Sequence, residues 1–345
     1  MDRLLSERNM TGAKCPNPDK DLFEHTVLPI LYTLVFIIGA LLNVWGLKTL
    51  LQNWKKLKSI NILVFNLGLA DVLYLLTLPL LITYYLNGSK WIFGAAVCKV
   101  TRFCFDLNLY CSIGFLTCLS VYRYLAIIYP LKVLGKVTRT HSVIISAMVW
   151  IVVTAQSLPG VLIFPKNSGN NTTQCFDTTD GENIEKYLQY NLVRTIIGFC
   201  IPFVIIVGSY GHVTFVVCHS NTIKMVTKQR SLKLLILMIL FFSICYAPHH
   251  VFKNLNMYSR VLQRRKICSS WNSGVFIAHQ AGRGLVSLNS ALNPLVYLHV
   301  NEDMGAQFKE LLQRSRRAFS RFSRSKSGSV PEPQDGQELK SPLAD

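Results

Sequence analysis

The sequence predicts an all-α membrane protein, a bundle of seven transmembrane helices followed by an amphipathic cytoplasmic helix. Three observations lead there. Half of the 345 residues are apolar and only 16% are charged. Seven stretches reach the roughly 20 apolar residues that a helix needs to cross a bilayer. Between them the chain places polar residues, such as Asp71 and the string Ser287-Leu-Asn289-Ser290-Ala-Leu-Asn293-Pro294-Leu-Val-Tyr297, inside otherwise oily runs. Ionisable and amide groups at membrane depth are expensive and persist mainly where they line a polar cavity or a moving part.

The stretches lie near 26–50, 60–85, 95–127, 142–164, 188–218, 232–257 and 272–299. The third and fifth contain polar interruptions. Residues 1–25 read as an extracellular N-terminus, polar through Asp21 and without a cleavable signal, so the first helix serves as its own insertion signal. Pro294 removes a backbone donor from the last span, and a neighbouring group must compensate. Residues 301–322 carry Phe308, Leu311, Leu312, Ala318 and Phe319 among arginines and lysines, the pattern of a helix lying on the inner leaflet. Residues 323–345, rich in Ser, Pro and charge, read as a disordered cytoplasmic tail.

Orientation follows from the basic loops. Lys55–Lys58, Lys132–Arg139, Lys224–Lys233 and Arg314–Lys326 fall on one side of seven spans, which assigns that side to the cytosol and makes this a multi-pass plasma-membrane chain. The net charge of +18 then reflects an inner rim facing anionic lipid and not a nucleic-acid partner. The sequons at Asn9, Asn87, Asn170 and Asn171 all fall on the expected outer side. Of ten cysteines, Cys15, Cys98, Cys175 and Cys268 lie in outer segments, where three disulfide pairings are open. The other six lie within helices and read as free packing residues.

Five cationic or near-cationic side chains occupy the outer thirds of the helices: Arg102, Arg194, His250, Lys253 and Arg283. The bilayer disfavours them, so they are expected to turn toward a watery cavity, where convergent cations suit a polyanion. Gln280 and Ser287, one turn either side of Arg283, offer neutral hydrogen bonds. Tyr84, Phe105 and Tyr110 offer aromatic surface. Lysines and arginines near helix ends also snorkel to headgroups without binding anything, and a histidine such as His250 also serves as a packing residue. Asp106, four residues after Arg102, pairs either with Arg102 or with Arg194, and in both cases lowers the positive potential of the cavity.

From residue 26 to about 320 the chain resembles the rhodopsin-like (class A) G protein-coupled receptors. The resemblance rests on Asn43, Leu69-Ala-Asp71, Cys98, Arg123, Trp150, Pro202, Tyr210, Phe242 with Cys245-Tyr-Ala-Pro248, and Asn293-Pro-Leu-Val-Tyr297, in order and each in the matching segment. Two positions depart from the family pattern. Tyr122 stands where an acid usually precedes the arginine, which implies a higher basal activity, and Tyr246 stands where a tryptophan is usual. The outer half is similar to the metabotropic purinergic receptors, through Trp91-Ile-Phe-Gly94, Cys98-Lys-Val-Thr-Arg102-Phe103, Asn108-Leu-Tyr-Cys-Ser112, Cys175-Phe-Asp177-Thr-Thr179, Pro248-His-His250-Val-Phe-Lys253 and Gln280-Ala-Gly-Arg283-Gly-Leu-Val-Ser287-Leu-Asn289.

That resemblance implies a receptor for an extracellular nucleotide, signalling through Gq, phospholipase C and calcium, with arrestin and receptor kinases as further partners. The candidate ligand set is Arg102, Phe105, Asp106, Tyr110, Asp177, Arg194, His250, Lys253, Gln280, Arg283 and Ser287; the resemblance carries Asp177, Lys253, Gln280 and Arg283 together, while Asp106 and Arg194 depart from it and weigh against the usual nucleotide pose. The expected disulfides are Cys98–Cys175 and Cys15–Cys268, the second also a feature of that family. Asp71, Ser112, Asn289, Ser290 and Asn293 match a sodium pocket, with sodium as an allosteric ion and no cofactor. Arg123, Tyr210, Phe242, Pro248 and Tyr297 form the expected activation switch. Receptors for small dicarboxylates such as succinate and 2-oxoglutarate share much of this pattern and are the alternative. A transporter is disfavoured because the sequence shows no internal repeat. An enzyme is disfavoured because no His-Glu-x-x-His or Gly-x-Ser-x-Gly string occurs.

Overall fold

A computed structural model describes residues 22–52, 59–129, 138–163, 175, 183–219, 239–240, 242–267 and 270–300, together with 310, 313, 314, 316 and 317; the side chains at 217 and 295–300 are excepted. The described chain is helical, and the helices follow the expected spans. The first span is Leu28–Gln52, entered through a π turn at Phe23–Val27, so it begins before the expected residue 26. The second is Ser59–Leu75 continued by Leu78–Leu86, the third Gly94–Ile128 and the fourth Arg139–Leu162. The fifth is Ile184–Thr195 and Ile201–His219 joined by a π turn at Ile196–Cys200. The sixth, Ala247–Arg264, follows a π turn at Phe242–Tyr246, and the seventh is Asn272–Val300. The expected helix over 301–322, apart from five helical positions, and the tail lie outside the described residues.

Five of the described helices, from Phe23–Gln52 through Ile184–Val216, are long and apolar enough to cross a membrane on length and composition alone. The sixth and seventh carry more polar faces, which they bury against each other. The sixth runs to Arg264, past the expected end at residue 257, because its outer portion is an amphipathic helix whose mixed composition hides it from hydropathy.

Proline explains the irregular turns. Each of the three π turns ends two residues before a proline: Pro29, Pro202 and Pro248. Proline lacks an N–H and its ring clashes with the carbonyl four residues earlier, so the preceding turn widens to accommodate it. Before Pro79 the second span breaks outright at Leu76–Thr77, and the Thr77 hydroxyl donates to the Tyr74 carbonyl at 2.7 Å. In the seventh span Pro294 leaves the Ser290 carbonyl without its helical donor. Asn43 of the first span supplies one, through its Nδ2 at 2.9 Å, which is the compensation the sequence called for.

The third span packs against the second, fourth and fifth, and the seventh packs against the first and sixth. Small residues permit the closest approaches. A Cβ on Gly282 would lie 2.9 Å from the His249 Cα, so the seventh and sixth spans meet nearly backbone to backbone. Aliphatic side chains such as Ile37, Leu41, Ile151 and Val204 stay exposed on the outer faces, as lipid-facing positions do. The bundle therefore turns its polar residues inward.

Candidate ligand-binding site

The end of the bundle carrying the Cys98–Cys175 disulfide is the expected outer end, and this pairing is the one expected for those two cysteines. Cys15 and Cys268 lie outside the described residues, as do Asp177, Asn9, Asn170 and Asn171. Asn87 is exposed at the end of the second span. The six intrahelical cysteines are free.

Arg102, Asp106 and Tyr110 follow one another at four-residue intervals, so they share a stripe of the third span. Asp106 takes both oxygens into a bidentate pair with Arg194 of the fifth span, at 2.8 and 3.2 Å from Nη1 and Nη2. Of the two partners the sequence allowed, the structure selects Arg194; among the described residues Arg102, half-buried, makes no ion pair. Arg194 is 3% exposed, and its guanidinium lies 4.9 Å from the Tyr110 ring centroid and 5.4 Å from that of Tyr190. Arg194 is thus not an open cation, because Asp106 neutralises it.

The seventh span provides a different wall. Arg283, also 3% exposed, donates from Nη1 to Gln280 Oε1 at 3.0 Å and to the Tyr85 hydroxyl at 3.4 Å, with its guanidinium 5.7 Å from the Phe105 ring. Gln280 in turn donates to Glu24 at 2.8 Å. Ser287 points elsewhere: it exchanges a 2.6 Å hydrogen bond with Tyr74 and donates to the Arg283 carbonyl. Tyr84 is taken up by packing on Trp91 and Tyr85, and so does not offer an open face.

The sixth span lies between these walls. His250 stacks on Phe199 at 4.6 Å and approaches Tyr110 at 5.7 Å, while His249 faces Phe105 at 5.6 Å. Both imidazoles are buried, and among the described residues none of their ring nitrogens has a hydrogen-bond partner. Lys253, one turn further out, is buried as well. Asn254 accepts from Asn191 and donates to Thr195, tying the sixth span to the fifth.

Deeper in the bundle, Asp71 is fully buried and accepts from Asn108 at 2.8 Å and from Asn293 at 3.0 Å on each oxygen. Ser290 donates to Asn108 Oδ1 at 2.9 Å. Asn289 donates to the Tyr246 hydroxyl instead of to Asp71, so the tyrosine that replaces the usual tryptophan couples the sixth and seventh spans. Ser112 is buried, and among the described residues its hydroxyl makes no well-formed hydrogen bond and the Oδ1 atoms of Asn289 and Asn293 have no donors. Buried oxygens of this kind around a carboxylate fit a small hard cation.

At the other end, Arg123 is half-buried and Tyr210 buried. Phe242, fully buried, contacts Phe199, Phe203 and Tyr246 at centroid distances of 6.5, 6.3 and 5.2 Å. Pro248 follows the π turn. The Tyr297 side chain lies outside the described set.

Sequence reasoning missed several participants. Asn108 lies four residues before Ser112, on the same helix face, and that spacing was a usable signal. Glu24 was hidden in what read as a polar N-terminus. His249 and Tyr190 gave no sign beyond their neighbours.

Comparisons with known proteins agree with this geometry. A family model described as 7 transmembrane receptor (rhodopsin family) matches residues 42–297. Purinoceptor 1 of Homo sapiens is 38% identical over 304 residues, covering 87% of this chain and 80% of the relative. Purinoceptor 1 of Gallus gallus is 39% identical over 305 residues, 87% of this chain and 82% of the relative. Purinoceptor 4 of Xenopus laevis is 33% identical over 285 residues, 81% of this chain and 52% of the relative. A seven-span bundle with this disulfide and this polar core, matched along most of its length, places the chain in the rhodopsin family of seven-transmembrane receptors and, within it, among the purinoceptors.

Proposed function

We propose that this receptor is activated by an extracellular nucleotide bound in the outer cavity and signals through a heterotrimeric G protein, Gq in particular, to phospholipase C and calcium. Its N-terminus lies outside and its C-terminus in the cytosol, where receptor kinases and arrestin engage the tail. The observation that carries the ligand reading is Arg283: a buried guanidinium in the seventh span, held by Gln280 beside the ring of Phe105. A charged fork next to aromatic faces suits a molecule that is anionic at one end and planar at the other. The names of the relatives support the same choice.

Activation moves the sixth span about the π turn at Phe242–Tyr246, repacking Phe242 and the contacts of Arg123. A ligand shifts such a two-state bundle only by its differential affinity for the open state. Asp71, Asn289, Asn293 and Ser112 would hold sodium, which supplies positive charge to the buried carboxylate and acts as an allosteric ion.

The test is calcium release in cells expressing the receptor, challenged with ADP, ATP, UDP, UTP, succinate and 2-oxoglutarate. A nucleotide response that Arg283→Ala weakens at least about tenfold, at matched surface expression, is expected. A response confined to a dicarboxylate would replace the nucleotide reading.

A further inference from the structure

The fourth span carries Ile144, Met148, Val152 and Gln156 at four-residue intervals, so they wind along one face of the helix over about 18 Å. The first three are exposed, and on a span that crosses a membrane that exposure is to lipid. Beside this stripe lies a groove of about 320 Å³, bounded by Tyr110 and Gly114 of the third span and by Gly198 of the fifth. A Cβ on Gly114 would lie 3.0 Å from Val149 Cγ1, and one on Gly198 would lie 2.5 Å from Tyr110 Cε1. The three spans thus approach closely at two positions that contribute no side chain. Gly198 belongs to the π turn before Pro202, and the next residue, Phe199, stacks on His250 and lies 6.5 Å from Phe242. The groove therefore backs on the turn through which the fifth span packs against the sixth.

An apolar groove facing lipid is not filled by water, and left empty it forfeits the dispersion contacts of its walls. The molecules at hand to fill it are those of the bilayer. Gln156 narrows the choice. It lies six residues before the end of the fourth span at Leu162, about 9 Å inside. Its Nε2 reaches across toward the fifth span, 3.5 Å from where a Gly198 Cβ would stand. Its main-chain carbonyl accepts from the Tyr190 hydroxyl, while among the described residues its carboxamide has no hydrogen bond. An amide in hydrocarbon without a partner is costly. A phospholipid chain passing at that depth brings only methylenes. A sterol brings one hydroxyl on a rigid apolar body, which satisfies the amide and loses little conformational freedom on docking. We propose that the groove is a sterol site, with the hydroxyl at Gln156, the rings along Val152 and Met148, and the tail toward Ile144. The site lies on the lipid-facing side of the bundle, and its occupant is chosen independently of the agonist.

The probe is cholesterol carrying a photoreactive diazirine in its ring system, added to the purified full-length receptor in phosphatidylcholine nanodiscs, with labelled peptides mapped by mass spectrometry. Saturable labelling is expected on the fourth and fifth spans, with first-span peptides reporting the general lipid-facing surface. Unlabelled cholesterol should compete at the groove about five- to tenfold better than cholestane, which lacks the hydroxyl, as befits one hydrogen bond. Gln156→Leu should erase that preference and leave the two competitors within about twofold of each other. Val152→Trp places a large ring at an exposed position on the groove and should cut labelling by at least about tenfold. Labelling spread evenly over the lipid-facing spans would overturn the proposal, because phospholipid chains would then fill the groove. Equal competition by cholesterol and cholestane in the wild type would overturn it too, since Gln156 would take no part in recognition. Unchanged labelling in Val152→Trp would put the sterol elsewhere and refute the site. Should either variant fail to fold, the wild-type peptide map and competition decide alone.

Discussion

Asp106 and Asp71, two of the buried carboxylates among the described residues, have surroundings that differ in kind. Asp106 meets a guanidinium from the neighbouring fifth span, in a two-point contact enclosed by tyrosine rings. Asp71 meets the carboxamides of Asn108 and Asn293, and the Oδ1 atoms of Asn289 and Asn293, without donors among the described residues, belong to the same polar core. An ion pair in a low-dielectric site is a closed unit, since its charges cancel and either partner alone is costly. Carboxamide donors satisfy lone pairs without cancelling charge, so a carboxylate held by them keeps an electrostatic demand that a cation or a proton can meet. With the sodium site proposed above, the same residue type would serve as a fixed strut in one region and a receiving group in the other.

The comparison can be broken most readily at the strut. Arg194→Met strands Asp106, and thermal or denaturant unfolding of the solubilised receptor is expected to show a loss of about 3–5 kcal/mol. A loss below about 1 kcal/mol would mean that Asp106 finds another partner or water, and the pair is no closed unit. A smaller effect is expected from Asn43→Ala, which removes the donor that Pro294 makes necessary at the Ser290 carbonyl, beside the Asp71 core. The cost should be about 1–3 kcal/mol in the same assay. The smallest belongs to Ser112→Ala. Its hydroxyl makes no well-formed hydrogen bond, so in sodium-free buffer stability should stay within about 0.5 kcal/mol of wild type. A larger change would assign Ser112 a structural bond and weaken its role as an oxygen waiting for a cation.

How far the sequence could be read tracks the physics of each region. The seven spans were legible because bilayer thickness imposes one length on every crossing, and the polar string Ser287–Tyr297 stood out against apolar neighbours. The outer end of the sixth span was not, because an amphipathic helix there has no long apolar run. The partner of Asp106 stayed open between Arg102, four residues back on the same helix, and Arg194, 88 residues away. Which of them reaches the carboxylate depends on the rotation of the outer fifth span, and the π turn at Ile196–Cys200 sets that rotation. The prolines were visible in the sequence; the widened turns they produce were not. Glu24 was missed for a related reason, since its partner Gln280 lies 256 residues away and only the assembled first and seventh spans bring them together.

The contrast between the carboxylates is tested most directly without an agonist. Thermal unfolding of purified wild-type, Asp71→Asn and Asp106→Asn receptors can be followed as sodium replaces choline at constant ionic strength. A ligand that binds only the folded state raises its stability in proportion to occupancy. Sodium-dependent stabilisation is expected in wild type and in Asp106→Asn, and should vanish in Asp71→Asn. Stabilisation that survives Asp71→Asn, or that disappears with Asp106→Asn, would contradict the assignment of one carboxylate as receiver and the other as strut.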